Sequence, residues 1–152
     1  NVSAARILVY QKDAAASWVT PVGSGGGDGT AGTGFSITTT ASLALEAGDV
    51  LPWVMALRSD LPQPTNVSVT GTGLTITGTV NGIELFSTTA GGDMAMHHSE
   101  ASVDTGTATT TLTLTATLDS SHTGSVFFAR LREQASAFTP VDPMGRMGFF
   151  GL

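Results

Sequence analysis

Apolar and polar residues alternate with a period of two over much of the chain, the spacing of half-buried strands. The clearest case is Ala108 to Leu118, where Leu112, Leu114, Ala116 and Leu118 alternate with Thr111, Thr113, Thr115 and Thr117. Phe35 to Thr40 follows the same rule, with Phe35 and Ile37 set against Ser36 and Thr38. Val50 to Leu57 is the longest apolar run and reads as a central strand, although Pro52 calls for a bulge or an edge position. It is launched by a turn over Leu45-Glu-Ala-Gly-Asp49. Val67 and Val69, then Leu74, Ile76 and Val80, alternate around a Thr-Gly-Thr-Gly turn, and Asn81-Gly82 is a hairpin signal. Further strands are expected at Ala5–Gln11, Ile83–Ser87, Met94–Val103 and, after a turn at Asp119–Gly124, Ser125–Glu133. Ala14 to Ala16 suits one helical turn before Trp18.

About eight short strands with turns between them predict an all-β fold, an antiparallel β-sandwich of jelly-roll or Ig-like type, with a barrel as the alternative. The expected organisation is an N-terminal strand and connecting segment over residues 1–22, a glycine-rich loop over 23–34, a sandwich core over 35–133 that includes the first strand, 5–11, and an extended C-terminal arm over 134–152. Gly23 to Gly34 has too little side chain to pack and reads as a flexible loop. A single domain of 152 residues is long enough to bury a core without staples.

Composition sharpens this picture. Charged residues make up 12% of the chain, so Thr, Ser and Gly must supply the polar surface, and Thr suits the solvent face of a strand. The net charge is −6 and the few basic residues are scattered, which argues against nucleic acid and anionic membranes as partners. With no Cys there are no disulfides, thiolate metal sites or Cys nucleophiles. The opening Asn1 suggests that an initiator Met or a longer leader precedes it.

Candidate chemistry is sparse. Gly27-Asp-Gly-Thr-Ala-Gly32 matches G-x-G-x-x-G, but a dinucleotide site needs a strand before it and a helix after it; a strand pattern follows instead. His97 and His98 sit in a strand pattern that sends neighbouring side chains to opposite faces, so only His98 and Glu100 can share one. They are expected to be surface or interface histidines, with His122 in a turn. Asp93, Glu100 and Asp104 have no spacing that asks them to meet, and no nucleophile elbow or P-loop is present. Neither enzyme activity, a cofactor nor a metal is expected. Asn1-Val-Ser and Asn66-Val-Ser match the N-glycosylation pattern, as chance matches do.

The tail, Phe138 to Leu152, is different. Pro140, Pro143 and three Gly block a helix, yet Met144, Met147, Phe149, Phe150 and Leu152 are costly to leave in water, at about 1.5–3 kcal/mol for each side chain buried. Extended, the arm reaches about 50 Å. It packs either over an edge of its own domain or into a neighbouring subunit; the second is favoured, with those five residues and Arg146 at the contact.

The chain resembles β-sandwich virion proteins of tailed bacteriophages, especially those infecting actinobacteria. The likeness rests on the Gly/Thr-rich lead-in Gly29–Thr40, Ala47-Gly48-Asp49 opening the apolar strand Val50–Arg58, and the turn-and-strand Val69-Thr-Gly-Thr-Gly-Leu-Thr75. A Thr-rich penultimate strand, Thr107–Leu118, and a closing strand, Gly124–Leu131, complete it. It covers about residues 29–133; Ile76 stands where related domains often carry Trp. The resemblance implies a capsid-decorating or tail-associated structural protein, located in the virion and forming a homo-oligomer, whose partners are copies of itself and a major capsid or tail protein. The alternative is a module that binds carbohydrate or a host surface, for which Trp18, Trp53 and Tyr10 are the large amphipathic aromatics.

Overall fold

The computed structural model describes residues 11, 16–57, 64–78, 83–86 and 95–135. Among these, every regular element is a strand. In chain order they are β1 (Ala16–Trp18), β2 (Val22–Thr38), β3 (Leu43–Glu46), β4 (Val50–Leu57), β5 (Thr65–Gly71), β6 (Thr75–Thr77), β7 (Ile83–Phe86), β8 (Ala95–Thr105), β9 (Thr107–Thr110), β10 (Leu112–Arg130) and β11 (Glu133–Ala135). Ala16, expected in a helical turn, instead pairs with Ala135 in a small β1–β11 sheet. The expected strand at 5–11 lies, but for Gln11, outside the described residues, and the C-terminal arm lies outside them from Ser136 onward.

The organising pair is β2 with β10, which run antiparallel from Val22↔Arg130 to Thr38↔Thr113. On the other edge of β10, β5 pairs with the first half (Leu112–Thr117) and β4 with the second (Gly124–Phe128). From β4 the sheet continues to β8, which also pairs with β6 and β7. A separate pair, β3–β9, lies beside it.

The β2–β10 ribbon is not straight. At about 3.3 Å per residue, Gly26 and Thr38 would stand about 40 Å apart on a straight β2. Instead, the Thr40 N–H donates to the Gly25 carbonyl at 2.9 Å, and a methyl group placed on Gly26 would collide with the Thr38 carbonyl oxygen. The ribbon therefore folds back on itself, and its register shifts fall between Thr117 and Gly124, where a bend is needed. The side chains of Phe35, Ile37, Leu112 and Leu114 from one half join Val126 and Phe128 from the other in one buried cluster. Leu51, Trp53, Met55 and Leu57 of β4 and Val67 and Val69 of β5 complete it.

Three expectations are corrected here. The glycine-rich stretch 23–34 is not a loop but most of β2, because a ladder needs only backbone groups and β10 supplies the apolar side chains beside it. The strand expected over Ala108–Leu118 is divided at Thr111: its first part pairs with β3 and its second with β2 and β5. The turn expected at Asp119–Gly124 is a bend within the continuous β10.

Pro52 meets neither of its two expected conditions. β4 lies between β10 and β8 with continuous register on both sides. Val50 and Leu131 exchange both backbone hydrogen bonds, so by alternation Pro52 would have to donate toward Ala129. It has no N–H to give. The β4–β10 ladder accordingly stops at Trp53 and resumes only at the Val50↔Leu131 bridge.

Gly26→Ala should lower the unfolding free energy by about 2–3 kcal/mol through overpacking against backbone. At Gly27, where the nearest atom to an added Cβ is 3.8 Å away, the same change should be neutral or stabilising by up to about 1 kcal/mol. Chemical denaturation of the two variants checks the contrast; equal losses would mean that the ribbon does not close at Gly26.

Candidate functional site

The turn between β3 and β4 is built around Asp49. Gly48 has φ of +92°, a left-handed conformation that favours glycine, and this lets the Asp49 N–H donate to the Glu46 carbonyl at 3.1 Å. In return the Glu46 N–H donates to Asp49 Oδ2 at 2.9 Å. Asp49 is fully buried, and its carboxylate also receives a two-pronged donation from Arg132, Nε to Oδ1 at 2.6 Å and Nη2 to Oδ2 at 2.7 Å. Glu46 Oε1 lies 3.2 Å from the same Nε. The hydrogen bonds it donates to Asp49, together with the charges of Asp49 and Glu46, hold the Arg132 guanidinium above its ordinary pKa against the opposing effect of burial.

This clasp joins distant parts of the chain. The Gly48 N–H donates to the Val103 carbonyl, the Val103 N–H to the Asp49 carbonyl, and the Val19 N–H to the Arg132 carbonyl. One residue pair earlier on the strand, the buried Arg130 sends Nη1 to the Ala44 carbonyl and Nη2 to the Thr20 carbonyl, each at 3.0 Å. β1, β3, β4, β8 and the end of β10 are thus held at one corner.

A cleft of about 320 Å³ opens at that corner, lined by Gln11, Trp18, Glu46, Ala47, Gly48, Val50, Leu131, Arg132 and Glu133. The indole of Trp18, 37% exposed, offers an apolar surface; Glu46 and Glu133 offer acceptors. Such a surface can stack a ring and accept hydroxyl hydrogen bonds, while the guanidinium at its base is already held by Asp49.

His97 and His98 do diverge, but neither is a surface histidine. His97 is fully buried on the face of β8 that carries Ala95, Ala101 and Val103 into the core. His98, 7% exposed, points the other way, opposite Val54 of β4 and Ile83 of β7. β8 is an interior strand, with β4 on one edge and β6 and β7 on the other. Among the described residues no three His, Asp or Glu side chains are grouped to hold a metal ion. The glycines of the G-x-G-x-x-G match lie in the β2 strand, where Asp28 pairs with Gly124 and Gly32 with His122. Asn66 adopts φ of +52°, is exposed, and donates through its amide to Thr117 Oγ1 at 3.4 Å.

The outer surfaces of the two ribbon halves contrast sharply. Around the first half, Ser36, Thr38, Ser68, Thr113 and Thr115 face outward, with hydroxyl pairs Thr38–Thr113 at 2.8 Å and Ser68–Thr115 at 2.7 Å. Around the second half the corresponding positions are Ser125, Phe127 and Ala129 of β10, Pro52, Val54 and Ala56 of β4, and Met96 and His98 of β8; Ser125 and Phe127 are exposed, Val54, Ala56, Met96 and Ala129 are half-buried, and Pro52 and His98 are buried. Phe127 is 52% exposed and its ring lies over glycine backbone: a Cβ on Gly23 would strike it, and one on Gly25 would sit 3.4 Å from it. An aromatic side chain covering strand glycines in this way compensates for the packing they lack.

The tail residues expected at a partner contact, Met144, Arg146, Met147, Phe149, Phe150 and Leu152, lie outside the described residues. Two features escaped the sequence reading. The adjacent pair Phe127-Phe128 did carry a signal, since neighbours on a strand face opposite ways and one must point outward. The Asp49–Arg132 pair carried none, because its members are far apart in the chain. No protein-family model, curated protein or solved structure matches the chain.

Asp49→Ala should destabilise the fold by about 2–4 kcal/mol, because it strands the partly buried Arg132 and removes the acceptor of the turn. Arg132→Lys, which keeps the charge and loses the fork, should give a smaller loss. Thermal and urea unfolding of both variants provide the measurement; a loss under about 0.5 kcal/mol for Asp49→Ala would assign the clasp no structural weight.

Proposed function

We propose that the chain is a structural protein of a tailed-phage virion, attached to the capsid surface or the tail and associated with copies of itself and a major capsid or tail protein. In this reading the doubled-back β2–β10 ribbon forms the two layers of an antiparallel β-sandwich, and the apolar segment after Ala135 is an arm between subunits. The observation that carries the proposal is the exposed ring of Phe127, with half-buried Val54, Ala56 and Met96 on the same face. A face of this kind is suited to burial against another protein. The sequence resemblance to virion sandwiches supplies the class of partner. The mechanism is mechanical: neutral strand faces and the arm form contacts that add up over many copies.

A second reading, a module that binds carbohydrate, is favoured by the cleft in which Trp18 stands beside Glu46 and Glu133. It has one exposed indole rather than a row of aromatics, and so ranks below assembly.

Mass spectrometry of purified particles of the encoding phage, followed by immunogold labelling, tests the first reading. The expected result is this chain in a fixed ratio to a capsid or tail protein, with label confined to one of those structures. Its absence from particles would remove the proposal. For the second reading, glycan-array binding by the intact chain that disappears in Trp18→Ala is the expected signature, and no binding by either protein rules it out.

A further inference from the structure

We infer that the cleft at the Asp49 corner is a socket for one basic side chain, arginine or lysine, presented by the capsid or tail protein to which the chain attaches. The inference rests on the assembly reading above and names a contact that reading leaves unassigned.

The cleft is open and the charge it shows to solvent is one-sided. Trp18, Glu46 and Glu133 are exposed where they line it, whereas Arg132 is half-buried and Arg130 is buried. Both guanidiniums are committed to fixed acceptors, Arg130 to the carbonyls of Ala44 and Thr20, and Arg132 to the buried carboxylate of Asp49. Glu46 approaches Arg132 through Oε1 at 3.2 Å, on an Nε that already donates to Asp49 at 2.6 Å. One cation is therefore shared between two carboxylates. Glu46, Asp49 and Glu133 together outnumber the two arginines of this corner, so that among the described residues negative charge is in excess.

That excess stands beside an aromatic face. Trp18 lies directly opposite Glu133 in the β1–β11 pair, which puts their side chains on one side of the ribbon. A cation over an indole is attracted by the ring's negative face, and a neighbouring carboxylate adds to the attraction. The wall also includes Ala47, Val50 and Leu131, aliphatic surface suited to the methylene stem of a long basic side chain whose head reaches the acids. At about 320 Å³ the cleft has room for such a side chain. A neutral sugar would use the indole and leave the charge unanswered. The parts are held in place without a partner: β1 is paired to β11, Val50 and Leu131 exchange backbone hydrogen bonds, and the Glu46 backbone is fixed by the Asp49 turn. Little ordering is needed on binding. With a net charge of −6, the chain attracts a basic partner more readily than a second copy of itself, which assigns this contact to the unlike protein.

Two probes that differ in charge test the site: acetyl-arginine methylamide, and its citrulline counterpart, in which a neutral urea replaces the guanidinium. In proton–nitrogen NMR titrations of the full chain, the arginine probe should move the indole signal of Trp18 and leave that of the buried Trp53 in place. Its affinity should exceed that of the citrulline probe by about fivefold and fall with added salt. Glu46→Gln, at an exposed side chain, should bring the two probes level with the melting temperature nearly unchanged. In phage particles the same substitution should lower the copy number of the chain severalfold. Equal affinity of the unsubstituted chain for the two probes overturns the inference and returns the cleft to the carbohydrate reading; binding of neither overturns it outright. So does a copy number that Glu46→Gln leaves unchanged. Should the arginine probe bind selectively and the chain be missing from particles, the virion reading falls and the cation site stands.

Discussion

The fold depends on the closing contact between the two ends of β2, where Gly25 and Gly26 meet Thr38 and Thr40. A ribbon as long as β2–β10 would, if straight, expose both faces of its two strands along their whole length. Folding it back brings the apolar faces of its halves, Ile37 and Leu114 on one and Val126 and Phe128 on the other, into a common interior. The absence of a side chain at Gly26 is what allows the backbones to approach so closely. Composition and topology are connected at that point: the residues with least to contribute to a core are those that let the core close.

The corner at Asp49 answers a different problem. Several strands terminate there, and strand ends leave backbone groups to satisfy. Asp49 uses its carboxylate for a turn N–H and a guanidinium, and its backbone for β8. Arg130 and Arg132 are on the same stretch of chain and both reach the Ala44 carbonyl, at 3.0 and 3.3 Å. Two of the six basic residues are therefore committed to holding backbone, which helps explain how a chain so poor in charge fixes the ends of its strands. The cleft beside Trp18 is a by-product of this convergence.

Legibility from sequence followed the side chains. The turn into β4 was readable because Gly48-Asp49 marks it and Val50–Leu57 is too apolar for an edge; Leu45 and Glu46, expected in that turn, instead close the strand β3. Leu112, Leu114, Ala116 and Leu118 were placed on the core face by periodicity and are buried there. The stretch 23–34 was misread because glycine has no face to alternate, while its hydrogen-bonding capacity is that of any strand. Ala108–Leu118 was misread as one element because both halves have the same pattern, and partner choice is not local information. The candidate surface was only half legible: Phe127-Phe128 implied an outward aromatic, but the row that joins it to Val54 and His98 depends on the register of three strands.

The hydroxyl pairs Thr38–Thr113 and Ser68–Thr115 have a consequence for durability. In each pair either oxygen can donate, so the hydrogen bond can reverse direction without the contact being lost. No group in these pairs titrates in ordinary water, and no net charge is present for dissolved ions to screen. A surface sewn together in this way keeps its cohesion across changes of acidity and salinity that would loosen one built from ion pairs.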